Sequence, residues 1–186
     1  MEALSDNAIM IQVRDGNLDR LGLLFQRYKR PLYGFFHGLT HDAELSEDLV
    51  QNTFVRILRY RHLFRGDGDF RTWMFHIARN VNNDQFRKNK IKWTEDVEVW
   101  QDRISSADDK QLDLERAEHE VFLQQAMDRL PEDKREILLL SKYQERKYKE
   151  IGEILGCSEG AVKVKVFRAL QELKVAFERV SGEGGR

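Results

Sequence analysis

The sequence predicts an all-α protein made of two small helical modules. Apolar residues recur mostly at spacings of three and four, as on one side of a helix, and we find no convincing alternating strand pattern. Only 2 of the 186 residues are proline and 34% are charged, which favours helices over turn-rich β structure. A chain of this length suits one medium domain or two small ones.

The first module is expected over residues 1–90. Its predicted helices span residues 8–15, 18–40, 46–61 and 72–88. Glu47 and Asp48 favour a helix start near Ser46, because acidic side chains are stabilised at the positive end of the helix dipole. Between the last two helices, residues 65–69 are rich in glycine and aspartate, which is typical of a loop.

A linker is expected over residues 91–114, before the second module. It is acidic and lacks sustained periodicity, so we predict that it is mostly flexible. Four of its apolar side chains suggest that one part docks on a module or a partner: Trp93, Val97, Val99 and Trp100. The second module is expected over residues 115–180, with a helix start after Pro131, and residues 181–186 are expected to be a disordered tail.

Residues 148–173 have the pattern of a helix-turn-helix. Gly156 suits a left-handed helix end and Ser158 suits the cap of the next helix. The second helix places its core residues on one side: Val162, Val166, Ala169 and Leu173. Its opposite side carries Gly160, Lys163, Val164, Phe167, Arg168 and Gln171. Basic and apolar groups mixed in this way suit a major groove, whereas the alternative is that Phe167 packs on a neighbouring helix.

The helix at residues 72–88 has a second mixed side. Its predicted buried residues are Trp73, Met74, Ile77 and Val81, and its predicted opposite side carries Phe75, Arg79, Asn82 and Phe86. Aromatic, arginine and asparagine side chains can stack on unpaired bases and hydrogen-bond to them. Ordinary helix packing is the equal alternative. The aromatic and arginine-containing loop at residues 63–71 adds a candidate pocket for an extruded base.

The net charge of −1 conceals a pattern along the chain. Residues 56–93 hold 10 Lys+Arg and 3 Asp+Glu, residues 94–133 hold 4 and 13, and residues 134–186 hold 12 and 8. Two basic blocks separated by an acidic one indicate two polyanion-binding surfaces. Ordinary surface charge is the alternative.

Other features argue against a secreted, membrane or metal-dependent protein. The start resembles no signal peptide and no apolar run is long enough to span a membrane, so a cytoplasmic location is expected. Cys157 is the single cysteine, which excludes an intramolecular disulfide framework. His37 and His41 have the spacing of a metal pair on a helix, but no third ligand accompanies them. We therefore expect no cofactor, no metal and no catalytic site.

Several motifs, in this order, resemble the extracytoplasmic-function (ECF) sigma factors of bacterial RNA polymerase. They are Asp48-Leu49-Val50-Gln51-Asn52-Thr53-Phe54, Phe64-Arg65-Gly66-Asp67, Thr72 to Asn80, Leu130-Pro131-Glu132, and Ala161-Val162-Lys163 through Phe167-Arg168-Ala169. The resemblance covers both modules and implies that the first is sigma region two, a helical bundle, and the second is region four. It also implies three partners: core polymerase through its β′ coiled coil and β flap, promoter DNA, and an anti-sigma factor.

The resemblance further implies three groups of contact residues. Core polymerase would contact Asp48, Gln51, Asn52, Phe54 and Arg56. The melted minus-ten element would contact Phe64, Arg65, Asp67, Arg71, Phe75, Arg79 and Asn80. The minus-thirty-five element would contact Ser158, Lys163, Val164, Lys165, Phe167 and Arg168. Asn52, Val164 and Lys147 depart from the usual family residues, which puts one coiled-coil contact, the promoter preference and one helix cap in question.

The expected function is therefore promoter-specific transcription initiation as a sigma factor. The alternative is a stand-alone helix-turn-helix regulator that binds duplex DNA and never contacts polymerase. That alternative leaves the loop at residues 63–71 without a role.

Overall fold

The computed structural model describes residues 4–92, 112–144 and 146–183. Its α-helices are α1 (Asp6–Arg14), α2 (Leu21–Thr40), α3 (Ala43–Tyr60), α4 (Phe70–Lys92), α5 (Leu112–Asp128), α6 (Glu132–Leu138), α7 (Tyr148–Leu155) and α8 (Glu159–Glu183). Short 3-10 turns at Leu18–Arg20 and Arg61–Leu63 and a π-helical turn at Leu139–Tyr143 complete the described elements. No strand occurs in these ranges, so the all-α prediction is confirmed.

The ends of the predicted linker and tail are helical. Residues 91–92 end α4, residues 112–114 begin α5, and residues 181–183 continue α8. The expected disorder is therefore wrong for residues 181–183. Residues 93–111, which hold most of the predicted linker, lie outside the described residues.

The helices of the first module begin at polar caps. The Ser5 side chain accepts a hydrogen bond from the Ala8 amide, and that of Asp42 accepts one from the Leu45 amide. Because Asp42 is the cap, α3 begins three residues before the predicted start. Ser46 is instead buried inside the helix, where its hydroxyl donates to the Asp42 carbonyl.

The core of the first module is rich in aromatic side chains. α2 and α3 pack together, α4 packs on α3, and α1 covers one end. Phe35 and Phe75 meet edge to face with ring centroids 5.4 Å apart, as Phe25 and Phe54 do at 5.0 Å. Such pairs add about 0.5–1.5 kcal/mol each beyond the burial of their area.

The second module is built on α8, against which α5, α6 and α7 all pack. Gly156 is left-handed with φ +68°, and the Ser158 hydroxyl accepts a hydrogen bond from the Ala161 amide at 3.2 Å. Both features confirm the predicted turn between α7 and α8. Val162, Val166 and Ala169 are buried, as their spacing predicts.

The two modules pack against each other and share one buried apolar cluster. α4 contacts α7, and α2 contacts both α6 and the π-helical turn. At Gly38 the approach is close, because a Cβ atom there would lie 2.7 Å from Leu139 Cδ2. Nearby, the Gln144 side chain donates to the Pro31 carbonyl at 3.1 Å.

Within the described ranges, every helix is too short or too polar to cross a membrane.

Candidate functional site

A polar stripe lies on the exposed side of α3. Asp48, Gln51 and Asn52 are exposed, as the polymerase-contact prediction requires. Val55 continues this stripe at helical spacing with 62% of its surface exposed, an exposed apolar residue that sequence reasoning missed. Arg56, by contrast, is half-buried and forms an ion pair with Asp84 at 2.7 Å.

Phe54 is not part of that exposed stripe. Only 7% of its surface is accessible, and its ring packs on Phe25. α3 buries the side that carries Val50, Phe54 and Ile57. A direct polymerase contact through Phe54 is thus a wrong expectation for the structure as it stands, because the aromatic ring belongs to the core.

The loop between the 3-10 turn and α4 spans residues 64–69 and is called here the capture loop. Arg65 and Asp67 expose their side chains. Phe64 is buried instead, with ring centroids 6.1 Å from Phe70 and 5.3 Å from Trp73. Phe64 therefore anchors the loop in the core, and its ring is not accessible for the predicted contact with a minus-ten base in this conformation.

Phe75 also departs from the expected exposed side of α4. It is fully buried against Phe35, so it is a core residue rather than a stacking platform. Asn82 is 1% exposed and donates to Glu132 at 3.1 Å. The prediction failed because a helical wheel assumes one buried side. On α4, α2 of the same module covers Phe75, and α6 of the second module covers Asn82.

Arg79 lies on the part of α4 that the second module covers. Its Nε is 3.0 and 3.2 Å from the two carboxylate oxygens of Glu136 in α6. Burial raises the pKa of Glu136, and Arg79 opposes that effect. The carboxylate is thus held out of water at a cost that the ion pair only partly offsets.

The remaining minus-ten candidates differ in access. Asn80 is exposed, with its amide 3.4 Å from His76 Nδ1. Arg71 is half-buried, and its guanidinium lies over the Tyr28 ring, 6.0 Å from the centroid. Of the predicted set, Arg65, Asp67 and Asn80 are therefore the residues with exposed polar groups.

A second pair of charges joins the modules beside the capture loop. Arg146 precedes α7, and its Nη1 lies 3.1 Å from Asp69 Oδ2. Its Nη2 lies 3.4 Å from Glu150. The side chain is 5% exposed, so this guanidinium is enclosed by the two modules, a contact that the sequence did not predict.

The outward side of α8 is open as predicted. Phe167 is 60% exposed and Val164 is 48% exposed, which excludes the packing of Phe167 on a neighbouring helix. Ser158, Lys163, Lys165 and Arg168 are exposed beside them. Lys165 and Arg168 also border a cleft whose other wall carries Arg79 and Glu136.

His37 and His41 do not converge on a common ligand. His37 stacks on Tyr33 with ring centroids 5.5 Å apart. His41 Nε2 lies 3.1 Å from Asp128 and 2.7 Å from the Arg135 guanidinium, and burial lowers its pKa. Among the residues with described positions, no group of three or more His, Cys, Asp or Glu is arranged to hold a metal ion.

Comparison with known protein families matches both modules. Residues 24–91 match sigma-70 region 2, and residues 123–173 match sigma-70 region 4. Because these matches cover both modules, the alternative of a stand-alone helix-turn-helix regulator is set aside.

Curated relatives match over nearly their full length. The ECF RNA polymerase sigma factor SigM of Bacillus subtilis is 34% identical over 84% of this chain and 94% of its own. The RNA polymerase sigma-H factor of Pseudomonas aeruginosa is 28% identical over 93% of this chain and 94% of its own.

Solved structures have the same fold. CnrH in complex with the cytosolic domain of CnrY superposes with a TM-score of 0.69 at 24% identity, covering 94% of this chain and 97% of that chain. The sigma factor RpoE of Bartonella quintana, in complex with the anti-sigma factor NepR, gives 0.66 at 26% identity, covering 83% and 96%. The two matched regions occur in the same order as the two modules, and the relatives match over nearly their full length. The chain therefore belongs to the ECF group of sigma-70 RNA polymerase sigma factors, which are non-catalytic initiation factors.

Proposed function

We propose that this sigma factor directs initiation by three separate contacts. α8 binds minus-thirty-five duplex DNA, the capture loop and Asn80 hold an unpaired minus-ten base, and the α3 stripe binds the β′ coiled coil of core polymerase. Region four also meets the β flap. The observation that carries the proposal is the exposed apolar and basic side of α8, on a helix whose other side is buried.

The exposed side of α8 has the chemistry of major-groove recognition. Lys163 and Arg168 supply cations for phosphate oxygens or guanine acceptors, and Val164 and Phe167 supply apolar surface for thymine methyl groups. Exposure of the phenylalanine ring to water is unfavourable in the free protein. Contact with DNA would bury that apolar surface and so favour binding.

Capture of a minus-ten base drives promoter opening without nucleotide hydrolysis. The contact exists only when the base has left the duplex, so its binding energy shifts the equilibrium from closed to open DNA. Arg65, Asp67 and Asn80 offer the exposed polar groups for this contact. Phe64 and Phe75 act behind them by holding the loop and α4 in place.

The modules separate when both promoter elements are bound. The elements lie about 25 base pairs apart, or roughly 85 Å at about 3.4 Å per base pair. A compact chain of this length has a radius of gyration of only about 16 Å. The contact between the modules therefore belongs to a closed form, and breaking it frees Arg79 for DNA.

The closed form suits a regulatory partner. The two solved relatives are held in complexes, one with the cytosolic domain of CnrY and one with the anti-sigma factor NepR. By analogy, an anti-sigma factor that binds the closed form would keep this chain from polymerase. A protein with this proposed function acts on promoter DNA, so it functions in the cytoplasm.

Transcription by core polymerase on a library of promoters tests the proposal. We expect specific transcripts only when this chain is added, and weaker binding to core when Asp48→Lys is combined with Gln51→Ala. Asp19→Lys, an exposed charge reversal in the same module but outside α3, is the matched control. Core binding that is unchanged by the double substitution would contradict the assignment of the α3 stripe.

A further inference from the structure

One side of α1 contacts the capture loop along its whole length. Asn7, Ile11 and Arg14 are spaced by four and three, so they lie within about 60° of one another around the helix. Asn7 meets Gly68 and Phe70, Ile11 meets Gly66, and Arg14 meets Phe64 and Arg65. The loop thus runs antiparallel to α1, and each residue of the stripe contacts a different part of it.

The Asn7 amide makes the two shortest of these hydrogen bonds. Its Nδ2 donates to the Gly68 carbonyl at 2.7 Å, and its Oδ1 accepts from the Phe70 amide at 2.8 Å. The partners fix the orientation of the side-chain amide, because a carbonyl can only accept and a backbone N–H can only donate. One side chain thus satisfies two backbone groups where the loop enters α4.

The middle of the loop lies directly against α1 at Gly66. This residue has φ +85°, a left-handed conformation, and a Cβ atom there would lie 3.0 Å from Ile11 Cδ1. Gly68, two residues on, has open space around it and no left-handed φ. A Cβ atom would therefore crowd α1 at Gly66 but not at Gly68, whose contact with α1 is made by its carbonyl.

The start of the loop has a looser attachment. Arg14 Nη1 lies 3.3 Å from the Phe64 carbonyl and 3.5 Å from that of Arg65. The same guanidinium also donates from Arg14 Nε to Asp15 Oδ1 at 2.8 Å. All three contacts from α1 reach backbone atoms or a glycine, so the side chains of Arg65 and Asp67 remain exposed.

We propose that α1 positions the capture loop for base selection, with Asn7 as the principal positioning residue. The inference rests on the proposed role of the loop in holding a minus-ten base. Hydrogen bonds to a base edge require that donors and acceptors be positioned to within a few tenths of an ångström. A loosened loop therefore loses selectivity between bases before it loses general affinity for DNA.

Asn7→Asp is the sharpest test, since it keeps the size and one acceptor but places an oxygen against the Gly68 carbonyl. Gln12→Ala, on a different side of α1, is the matched control. The probe is the single-stranded minus-ten oligonucleotide of a promoter selected from the library, bound to holoenzyme with the selected base or with a replacement. The affinity ratio is the affinity for the oligonucleotide with the selected base divided by that for the oligonucleotide with the replacement. We expect Asn7→Asp to lower this ratio about fivefold, or roughly 1 kcal/mol, with core binding unchanged.

Gly66→Ala provides a second, independent test with a built-in rescue. It should lower the same ratio, whereas Gly68→Ala should not, because only Gly66 has the left-handed φ and the close Ile11 contact. Adding Ile11→Val removes the Cδ1 atom and should restore part of the ratio. A general loss of folding would not be rescued in this way.

The outcomes separate the inference from the proposed function. If Arg65→Ala and Asp67→Ala lower the ratio but Asn7→Asp and Gly66→Ala do not, α1 has no positioning role and the loop still captures the base. If none of the four changes lowers it, base capture by the loop is wrong and the inference falls with it. An equal loss in Gln12→Ala also overturns the inference, because it indicates general destabilisation of α1.

Discussion

α4 and α8 have the same sequence pattern but different surroundings. Each has an apolar stripe, and opposite it a mixture of phenylalanine, basic and polar residues. On α8 the mixed side is open, with Phe167 60% exposed. On α4 much of it is covered, and Phe75 is fully buried.

An aromatic residue on the polar side of a helix therefore does not by itself indicate a ligand surface. α5, α6 and α7 pack on α8 and leave its mixed side free, whereas α4 contacts α3 and also α7 of the other module. A helix between two layers has two buried sides, and on the second side of α4 Arg79 is paired with Glu136.

The largest expected contrast is between Phe75→Ala and Phe167→Ala. The first creates a core cavity and should lower the free energy of unfolding by about 3–5 kcal/mol. The second removes an exposed ring and should change it by less than about 0.5 kcal/mol. Urea denaturation followed by circular dichroism measures both. Similar losses would mean that the surroundings of the two helices do not differ as described.

Arg79→Ala should weaken the contact between the modules. It leaves the buried Glu136 carboxylate without its counterion, at a cost of about 1–3 kcal/mol once the partial exposure of Arg79 is considered. Adding Glu136→Gln should recover most of this loss, because the uncompensated charge is gone. Small-angle scattering would detect the opening as a larger radius of gyration.

The control for that experiment is Lys134→Ala, which removes an ion pair with Glu172 inside the second module. It should leave the radius of gyration unchanged. Opening of the same size in this control would show that the Arg79–Glu136 pair has no special role in holding α4 covered.

The two DNA contacts should fail differently. Arg168→Ala removes a cation from the open side of α8, so it should weaken duplex binding about tenfold and lower the salt dependence by about 0.9 per lost phosphate contact. Asn80→Ala should spare duplex binding and impair opening, seen as low permanganate reactivity of thymines near the start site. A template already mismatched at the minus-ten element should rescue Asn80→Ala, because the melting cost has been removed.

Lys174→Ala is the matched control for Arg168→Ala, because it lies further along α8 and is exposed. It should bind the duplex as the unchanged protein does. If the pre-melted template rescues neither or both of Arg168→Ala and Asn80→Ala, the division of labour between the modules is wrong.

The smallest expected effect is a pH dependence of stability at the contact between the modules, where His41 meets Asp128 and Arg135. Burial lowers the pKa of His41 below its ordinary 6.5, so the unfolded chain binds the proton more tightly. The stability from this group is fully present above about pH 6.5 and is lost as the pH falls towards the lowered pKa. Urea titrations between pH 7.5 and pH 5 should show a loss of unfolding free energy that His41→Asn removes. An identical pH profile in that variant would contradict it.

Much of the fold could be predicted because its signals are local. Ser158 and Gly156 bound the turn before α8 through hydrogen bonds and a φ value that depend on adjacent residues. The order of the two modules follows from the order of their motifs. The α3 start was misplaced because Asp42 and Ser46 are both good caps, and only the packing that buries Ser46 decides between them.

The helices, the two modules, the family and the open side of α8 could be predicted from the sequence, because periodicity, capping residues and motif order are properties of the chain. The burial of Phe64 and Phe75 and the pairing of Arg79 depend instead on how the helices pack. The same is true of the hydrogen bonds from Asn7 to the capture loop, which lies more than 55 residues away in sequence. These are contacts between distant segments, and a periodic pattern gives the buried side of a helix without giving how many neighbours bury it.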